Sequence, residues 1–307
     1  MRAVIFGTSN GIISKGYTRT IKERFERFEN RSLGASPSLL VHVRSEGFEL
    51  RDADTVIVET LTNDVAIPRA GGMTVDLVAQ GINSALDHLL STGATIGGLL
   101  LPPKWRDPTY EAVRTIHREA YENRGLQFVD ADDFIYDKDR DHCFDDGAHI
   151  SAALANFLAD VLLRKIAASA KPSSADRAAS QIVYRPVDST ERVTTTLLDV
   201  PISRITKAPI ELSAPHAEAR LIGLVVNRGD TSCDIRLQGD NSATKRLRFT
   251  NSVGNHVVVV PLLTPITPRD GVIGVSMIDT EGDEPSYQAD APESLGTLGL
   301  CGAVFET

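Results

Sequence analysis

The chain has 307 residues and a formal net charge of −9, with 42% hydrophobic and 24% charged residues. That composition excludes wholesale disorder, and no apolar run approaches the ~20 residues that a membrane-spanning helix needs. The acidic balance argues against nucleic acid or an anionic membrane surface as the main partner. At roughly 150 residues per domain, the length predicts one large or two ordinary domains.

Residues 2–6 are too short for the apolar region of a leader peptide, so the chain is expected to be cytoplasmic. Cys143, Cys233 and Cys301 are too few, and odd in number, for a disulfide framework, which fits a reducing compartment. Apolar runs at 2–6, 27–33, 55–59, 95–101 and 127–129 read as strands. Between them Leu77, Val78, Gly81, Ile82, Ala85, Leu86, Leu89 and Leu90 recur near the helical period, as do Ala112, Val113, Ile116, Ala120 and Tyr121. Asp107 followed by Pro108 is a helix start, a capping side chain before the residue favoured at the first helical position. Ile150, Leu154, Phe157, Leu158, Val161, Leu162 and Ile166 form one stripe and predict a long amphipathic helix. Strands that are apolar throughout, alternating with helices, predict a parallel sheet covered on both faces and spanning 1–170.

The Ala- and Ser-rich stretch around Lys171-Pro172-Ser173-Ser174 reads as a linker over 171–185. After it come short β-favouring segments at 193–198, 219–226, 233–237, 245–249, 256–262, 271–278 and 302–305. Turn-forming groups at 227–230, 239–241 and 280–283 separate some of them. This pattern predicts an all-β sandwich or jelly roll over 186–307.

Three polar segments follow strands of the first half: Gly7-Thr8-Ser9-Asn10, Asn30-Arg31-Ser32-Leu33-Gly34-Ala35-Ser36 and Thr60-Leu61-Thr62-Asn63-Asp64. Ligands of an open parallel sheet bind outside the carboxyl ends of its strands, which would set these loops side by side. Asp146-Gly147-Ala148-His149, just before the last helix, can return to the same edge. The residue types suit acyl transfer. A serine hydroxyl needs a base to take its proton and a third group to orient that base, roles that Ser9, His149 and Asp146 can fill. The oxyanion formed by attack needs donors fixed in advance. The backbone N–H groups of Ser9 and Gly34 and the side-chain amide of Asn63 can supply them.

In these motifs and their order the chain resembles the SGNH (GDSL-like) hydrolase family over about residues 1–168. The resemblance implies a flavodoxin-like three-layer α/β/α domain with a five-stranded parallel sheet. It also implies Ser9 as nucleophile, Gly34 and Asn63 in the oxyanion hole with the Ser9 N–H, and Asp146 with His149 completing a triad. Hydrolysis in the family needs no metal or organic cofactor. Two positions depart from the pattern: Thr8 stands where an Asp is usual, and Leu61 where a Gly is usual. Leu61 narrows the expectation toward a small acyl group such as acetyl. Asp139 and His142 repeat the Asp-x-x-His spacing, and His149 is preferred because it directly precedes the last helix.

Blander roles compete with each assignment. Ser9 or Asn10 can cap a helix, Gly34 can be a turn glycine, Asn63-Asp64 a loop cap, and His149 a helix-start residue. His142, Cys143, Asp145, Asp146 and His149 invite a zinc reading but lack a paired ligand spacing elsewhere. Trp105, the lone tryptophan, reads as core or lid packing or as a platform for a sugar ring. Lys104 and Arg106 beside it read as solvated charges or as contacts for an acidic saccharide.

The expected function is therefore a serine-dependent carboxyl-ester hydrolase that removes small acyl groups from carbohydrate, acting on a small ester or an acylated saccharide. The alternatives are a cytosolic O-acyltransferase in surface-polysaccharide biosynthesis using the same triad, and a non-catalytic glycan-binding or assembly protein. The β-domain is expected to bind glycan or to assemble the protein into a homo-oligomer.

Overall fold

In the computed structural model, strands β1 (Arg2–Phe6), β2 (Arg27–Asn30), β3 (Asp54–Val58), β4 (Thr95–Leu100) and β5 (Gln127–Asp130) pair in parallel in the order β2-β1-β3-β4-β5. The structure describes residues 1–169, 181–195, 198–206, 208–249 and 256–307. The central strands are buried on both faces, with Ala3, Val4, Ile5 and Phe6 beside Val56, Ile57 and Val58, as a helix-covered parallel sheet requires. The strand order reverses between β1 and β3. The carboxyl ends of strands at such a switch point are the place where flavodoxin-like sheets take ligands.

Seven helices accompany the sheet among the described residues: α1 (Ser9–Ile12), α2 (Tyr17–Arg24), α3 (Leu40–Ser45), α4 (Leu61–Arg69), α5 (Val75–Ser91), α6 (Pro108–Glu122) and α7 (Ala152–Ala168). α7 packs on α2, β4 and β5, and α5 packs on α6 and β4. Leu158, Ala159 and Leu162 of α7 meet Ile5, Ile57, Leu99 and Val129 in one buried cluster. α6 begins where the sequence places it: Asp107 accepts the Tyr110 N–H at 2.9 Å, and Pro108 opens the first turn.

Three local expectations are corrected. β2 stops at Asn30 instead of reaching residue 33, because Asn30 Oδ1 accepts the Ser32 N–H at 3.0 Å and its Nδ2 donates to Gly11 O at 2.8 Å, turning the chain out of the sheet. The segment 60–64 is the start of α4 rather than a loop, with Asp64 in a first turn that favours a carboxylate. Phe157 leaves the apolar stripe: it is 45% exposed and lies edge-on to Phe134.

The chain divides into two compact units, Met1–Ala66 with Val75–Ser180, and Ile67–Thr74 with Gln181–Thr307. The second unit contains β6 (Ile182–Pro186), β7 (Arg192–Thr194), β8 (Asp199–Pro201), β9 (Ser203–Ile205), β10 (Ile210–Ser213), β11 (Arg220–Asn227), β12 (Ser232–Gln238), β13 (Ser242–Arg248), β14 (Val257–Ile266), β15 (Val272–Ile278) and β16 (Leu298–Glu306). One sheet runs β10-β15-β12-β13 and another β14-β11-β16-β6, with β9 also on β16 and β7 paired to β8. All these pairings are antiparallel. Leu221, Leu224, Val260 and Phe305 of one sheet share a buried cluster with Ile235, Leu237, Leu247 and Ile273 of the other, which makes the unit a β-sandwich.

The linker expectation at 171–185 falls largely on 170–180, outside the described residues. Its last residues belong to β6, where Ile182 and Tyr184 alternate inward, so the sandwich begins before residue 186. The expected strand at 193–198 is strand only over Arg192–Thr194, and 196–197 lie outside the described residues. β8, β9 and β10 leave no signal in the sequence because strands of three or four residues are too short to show a period.

Candidate active site

β1 delivers the chain to Gly7 and Thr8, and Ser9 opens α1. Thr8 is the N-cap, with an extended backbone (φ −99°, ψ −154°) and Oγ1 accepting the Asn10 N–H at 3.4 Å. Ser9 itself is half-buried. The buried Asn10 side chain donates to Ala148 O at 3.4 Å and to Thr62 Oγ1 at 3.5 Å, joining this turn to the segments after β3 and before α7.

The residues before α7 form a closed loop. Phe144 bridges Ile150, Asp145 N–H donates to His149 O at 2.9 Å, and Ser151 N–H donates to Cys143 O at 2.8 Å. Ser151 then caps α7 by accepting the Leu154 N–H. Within the loop Asp146 Oδ1 accepts the N–H groups of Ala148 at 2.7 Å and His149 at 2.9 Å. Its other oxygen faces His149 Nδ1 at 2.7 Å. A carboxylate there fixes the proton on Nδ1 and leaves Nε2 as an acceptor. Ser9 Oγ lies 2.8 Å from that Nε2 and can donate to it. Burial alone would raise the Asp146 carboxyl, but the hydrogen bonds from the His149 ring and the two backbone N–H groups outweigh it and hold the group below the usual carboxylate range.

Gly34 lies half-buried in the loop after β2, and its neighbour Ala35 takes the left-handed conformation (φ 52°). The sequence marked the glycine for close approach, yet the strained residue is the alanine beside it, and strain of this kind gathers at functional loops. Asn63, buried in the first turn of α4, donates from Nδ2 to Ser36 O at 3.4 Å. A primary amide carries two N–H donors, so holding Ser36 leaves one for a ligand. Asp64 braces the same loop: its Oδ1 accepts Ser38 N–H at 2.9 Å, while Oδ2 meets His117 Nε2 of α6 at 3.0 Å.

Beneath the turn is a buried polar cluster that no sequence motif announced. Glu59, fully buried at the end of β3, accepts the Thr8 N–H at 2.9 Å, the Thr8 hydroxyl at 2.8 Å and the Tyr17 hydroxyl at 3.4 Å. Arg44, equally buried on α3, donates from Nη1 to Gly7 O at 2.7 Å and Arg31 O at 2.6 Å. Burial pushes the Glu59 carboxyl up to about 8, against the Thr8 and Tyr17 hydrogen bonds, and brings Arg44 down to about 9. A carboxyl raised in the native state stabilises the fold below its unfolded value, and that contribution fades as pH climbs to the native value. Between 4.5 and about 8 the wild type should therefore lose stability relative to Glu59→Gln. Melting temperatures of both proteins near pH ~5 and ~8 check this, the expected change in their difference being several degrees in favour of the variant; a pH-independent difference would refute it.

His142 is exposed on the 3₁₀ turn Asp137–Cys143, beside an ion pair between Lys104 and Asp141 (2.9 Å), and Ser9 meets His149 instead. Trp105 is half-buried in the loop after β4, whose Lys104 N–H donates to Gly147 O at 3.0 Å, so it shares the rim of the His149 loop. Lys104 and Arg106 stay partly exposed and form surface ion pairs, Lys104 with Asp141 and Arg106 with Asp132 at 3.0 Å and Asp137 at 2.8 Å. Leu61 is fully buried at the start of α4. Among the described residues no group of three or more His, Cys, Asp or Glu side chains is gathered to hold a metal ion. No helix among the described residues is long and apolar enough to cross a membrane, and all three cysteines are free thiols.

No family model and no curated protein sequence matches the chain. Among solved structures, a two-domain esterase (CEX) active on acetylated mannans is similar with a TM-score of 0.63 and 10% identity, covering 99% of this chain and 90% of that one. An acetyl xylan esterase, AlAXEase, gives a TM-score of 0.46 at 16% identity over 54% of this chain and 99% of its own. A member of the lipolytic protein G-D-S-L family from Veillonella parvula gives 0.46 at 15% identity, over 55% and 100%. The first of these is a likeness of fold over nearly the whole chain.

Proposed function

We propose that the chain is a serine-dependent carboxyl-ester hydrolase of the SGNH type, and that it removes small acyl groups, acetyl foremost, from carbohydrate. The observation that carries this reading is the relay from Ser9 Oγ to His149 Nε2 (2.8 Å) and from His149 Nδ1 to Asp146 Oδ2 (2.7 Å). Ser9 Oγ attacks the ester carbonyl carbon as His149 Nε2 takes its proton, and Asp146 steadies the imidazolium. The tetrahedral oxyanion meets the Ser9 and Gly34 N–H groups and the Asn63 amide. Its collapse breaks the bond to the sugar oxygen, which leaves with the proton from His149. Water, deprotonated by the same base, then attacks the acyl-serine and releases the carboxylic acid.

The choice of acetylated carbohydrate draws on the whole-chain fold likeness to an esterase active on acetylated mannans, and on Trp105 at the rim. The second unit offers a sugar ring little purchase: Tyr184, Phe249 and Phe305 are buried and Tyr287 is half-buried. Transfer to a second acceptor would use the same three residues, and no observation at the site favours it over water. The deciding trial compares p-nitrophenyl acetate, butyrate and octanoate, with acetate release from acetylated saccharides followed in parallel. Turnover should be greatest on acetate; inactivity on every ester would defeat the proposal.

Asn63 gives a narrower test. Loss of one oxyanion donor typically costs about 10²–10³ in kcat, or roughly 2.7–4 kcal/mol. Asn63→Ala should therefore lower kcat by that order with little change in KM, since the bond strengthens mainly in the transition state. Near-normal kcat with a depressed melting temperature would make Asn63 a structural cap instead.

A further inference from the structure

Resting on that reading, we propose that Thr8 and Glu59 act as a positioning pair that sets the Ser9 hydroxyl and backbone N–H in their working orientation. Ser9 opens a helix of four residues, too short to hold its own shape by helix hydrogen bonds. Beyond the bonds of Asn10 to Ala148 and Thr62 and of Asn30 to Gly11 O, its geometry comes from what grips Thr8. Thr8 is held at the backbone N–H by Glu59 Oε2 (2.9 Å) and at the hydroxyl by both Glu59 oxygens (2.8 and 3.0 Å). The same hydroxyl oxygen accepts the Asn10 N–H on the far side of Ser9 (3.4 Å). Ser9 is thus bracketed on both sides: Thr8 is held by the Glu59 carboxyl directly, and the Asn10 N–H is tied to it through the Thr8 hydroxyl.

That carboxyl stands on a fixed point. The Glu59 N–H donates to Phe6 O at 2.9 Å, extending the central β1–β3 ladder, and Tyr17 OH donates to Oε2. Arg44 Nη1 joins the peptide oxygen of Gly7 to that of Arg31, on the path toward Gly34, so the two sources of backbone oxyanion donors share one brace. The cluster leaves no slack. A Cβ on Gly7 would sit 2.4 Å from Tyr17 Oη, 2.6 Å from Ser32 Oγ and 3.3 Å from Glu59 Oε2. Burying an acid and a guanidinium is costly where apolar side chains would fill the same volume. Both side-chain bonds of Arg44, and all those of the Glu59 carboxyl except the one from Tyr17, fall on the Ser9 turn or on the exit from β2.

The test uses the full chain and p-nitrophenyl acetate, with kcat, KM, the rate of Ser9 labelling by a serine-directed phosphonate, and melting temperature measured on each protein. Thr8→Val keeps the shape of the side chain and loses its hydroxyl. It should lower kcat and the labelling rate about 10- to 100-fold, with KM within about twofold and the melting temperature within a few degrees. Thr8→Ser restores the hydroxyl and should recover most of the loss. Glu59→Gln keeps an acceptor for the Thr8 N–H and should fall between wild type and Glu59→Leu. The double variant Thr8→Val/Glu59→Leu should be no slower than the worse single one, because the pair acts as a unit. If Glu59→Leu does not fold, the two Thr8 variants decide alone. A folded Thr8→Val enzyme turning over at the wild-type rate overturns the inference, as does a loss that Thr8→Ser fails to repair. Ser9→Ala separates the two levels: turnover that needs Ser9 but ignores Thr8 defeats only the positioning pair, whereas a wild type with no Ser9-dependent turnover or labelling defeats the hydrolase reading with it.

Discussion

Ser9→Ala is expected to abolish ester turnover while leaving the fold as it is. Alanine is the best residue for a helical position, and Ser9 is half-buried, so the substitution removes one hydroxyl and its 2.8 Å contact to His149 and little else. Without that hydroxyl there is no group placed to form the acyl-enzyme, and loss of a triad nucleophile costs about 10⁴–10⁶ in kcat. The measurement is kcat on p-nitrophenyl acetate together with phosphonate labelling followed by mass spectrometry. Label on Ser9 in the wild type and none in the variant is the expected pair of results; full activity in the variant would end the assignment.

His149→Ala should be nearly as damaging, by about 10⁴ or more in kcat, because the serine then has no base. His142→Ala should change kcat by less than about twofold, as an exposed surface substitution does. The contrast rests on geometry: the His149 ring bridges Ser9 and Asp146, whereas His142 sits exposed on a 3₁₀ turn without that contact. Activity that survives at His149→Ala and fails at His142→Ala would move the base to the earlier Asp-x-x-His spacing and unseat Asp146 with it.

That Ser9, His149 and Asp146 meet was legible because acyl transfer demands particular side chains and the α/β order fixes where strands end. Ser9 and Asn63 follow strands, and His149 precedes a helix, whose hydrophobic periods are plain, so their place at one sheet edge could be reasoned. The support beneath them was not legible. Arg44 belongs to no motif or period in the sequence, Glu59 only ends the strand read at 55–59, and tertiary burial alone makes them the brace of the turn. Ala35 is hidden for a related reason, since an alanine carries no mark of a positive φ. In the second unit the longer strands showed themselves by β-branched runs such as 257–260. β6 reads as linker in the sequence, because its five residues follow a Ser- and Ala-rich stretch and end in proline.

Ser9 and His149 stand 140 positions apart in the chain, on either side of nearly the whole α/β unit. Joining them closes a long loop whose entropic cost must be met before the contact returns anything, whereas α5, α6 and α7 are built from neighbours in sequence. On the proposed mechanism, competence for catalysis is thus a late property of folding. During refolding the far-UV signal of the helices should return ahead of the capacity to form an acyl-enzyme, and a chain stopped between the two would carry most of its helix, an unactivated serine and an idle imidazole.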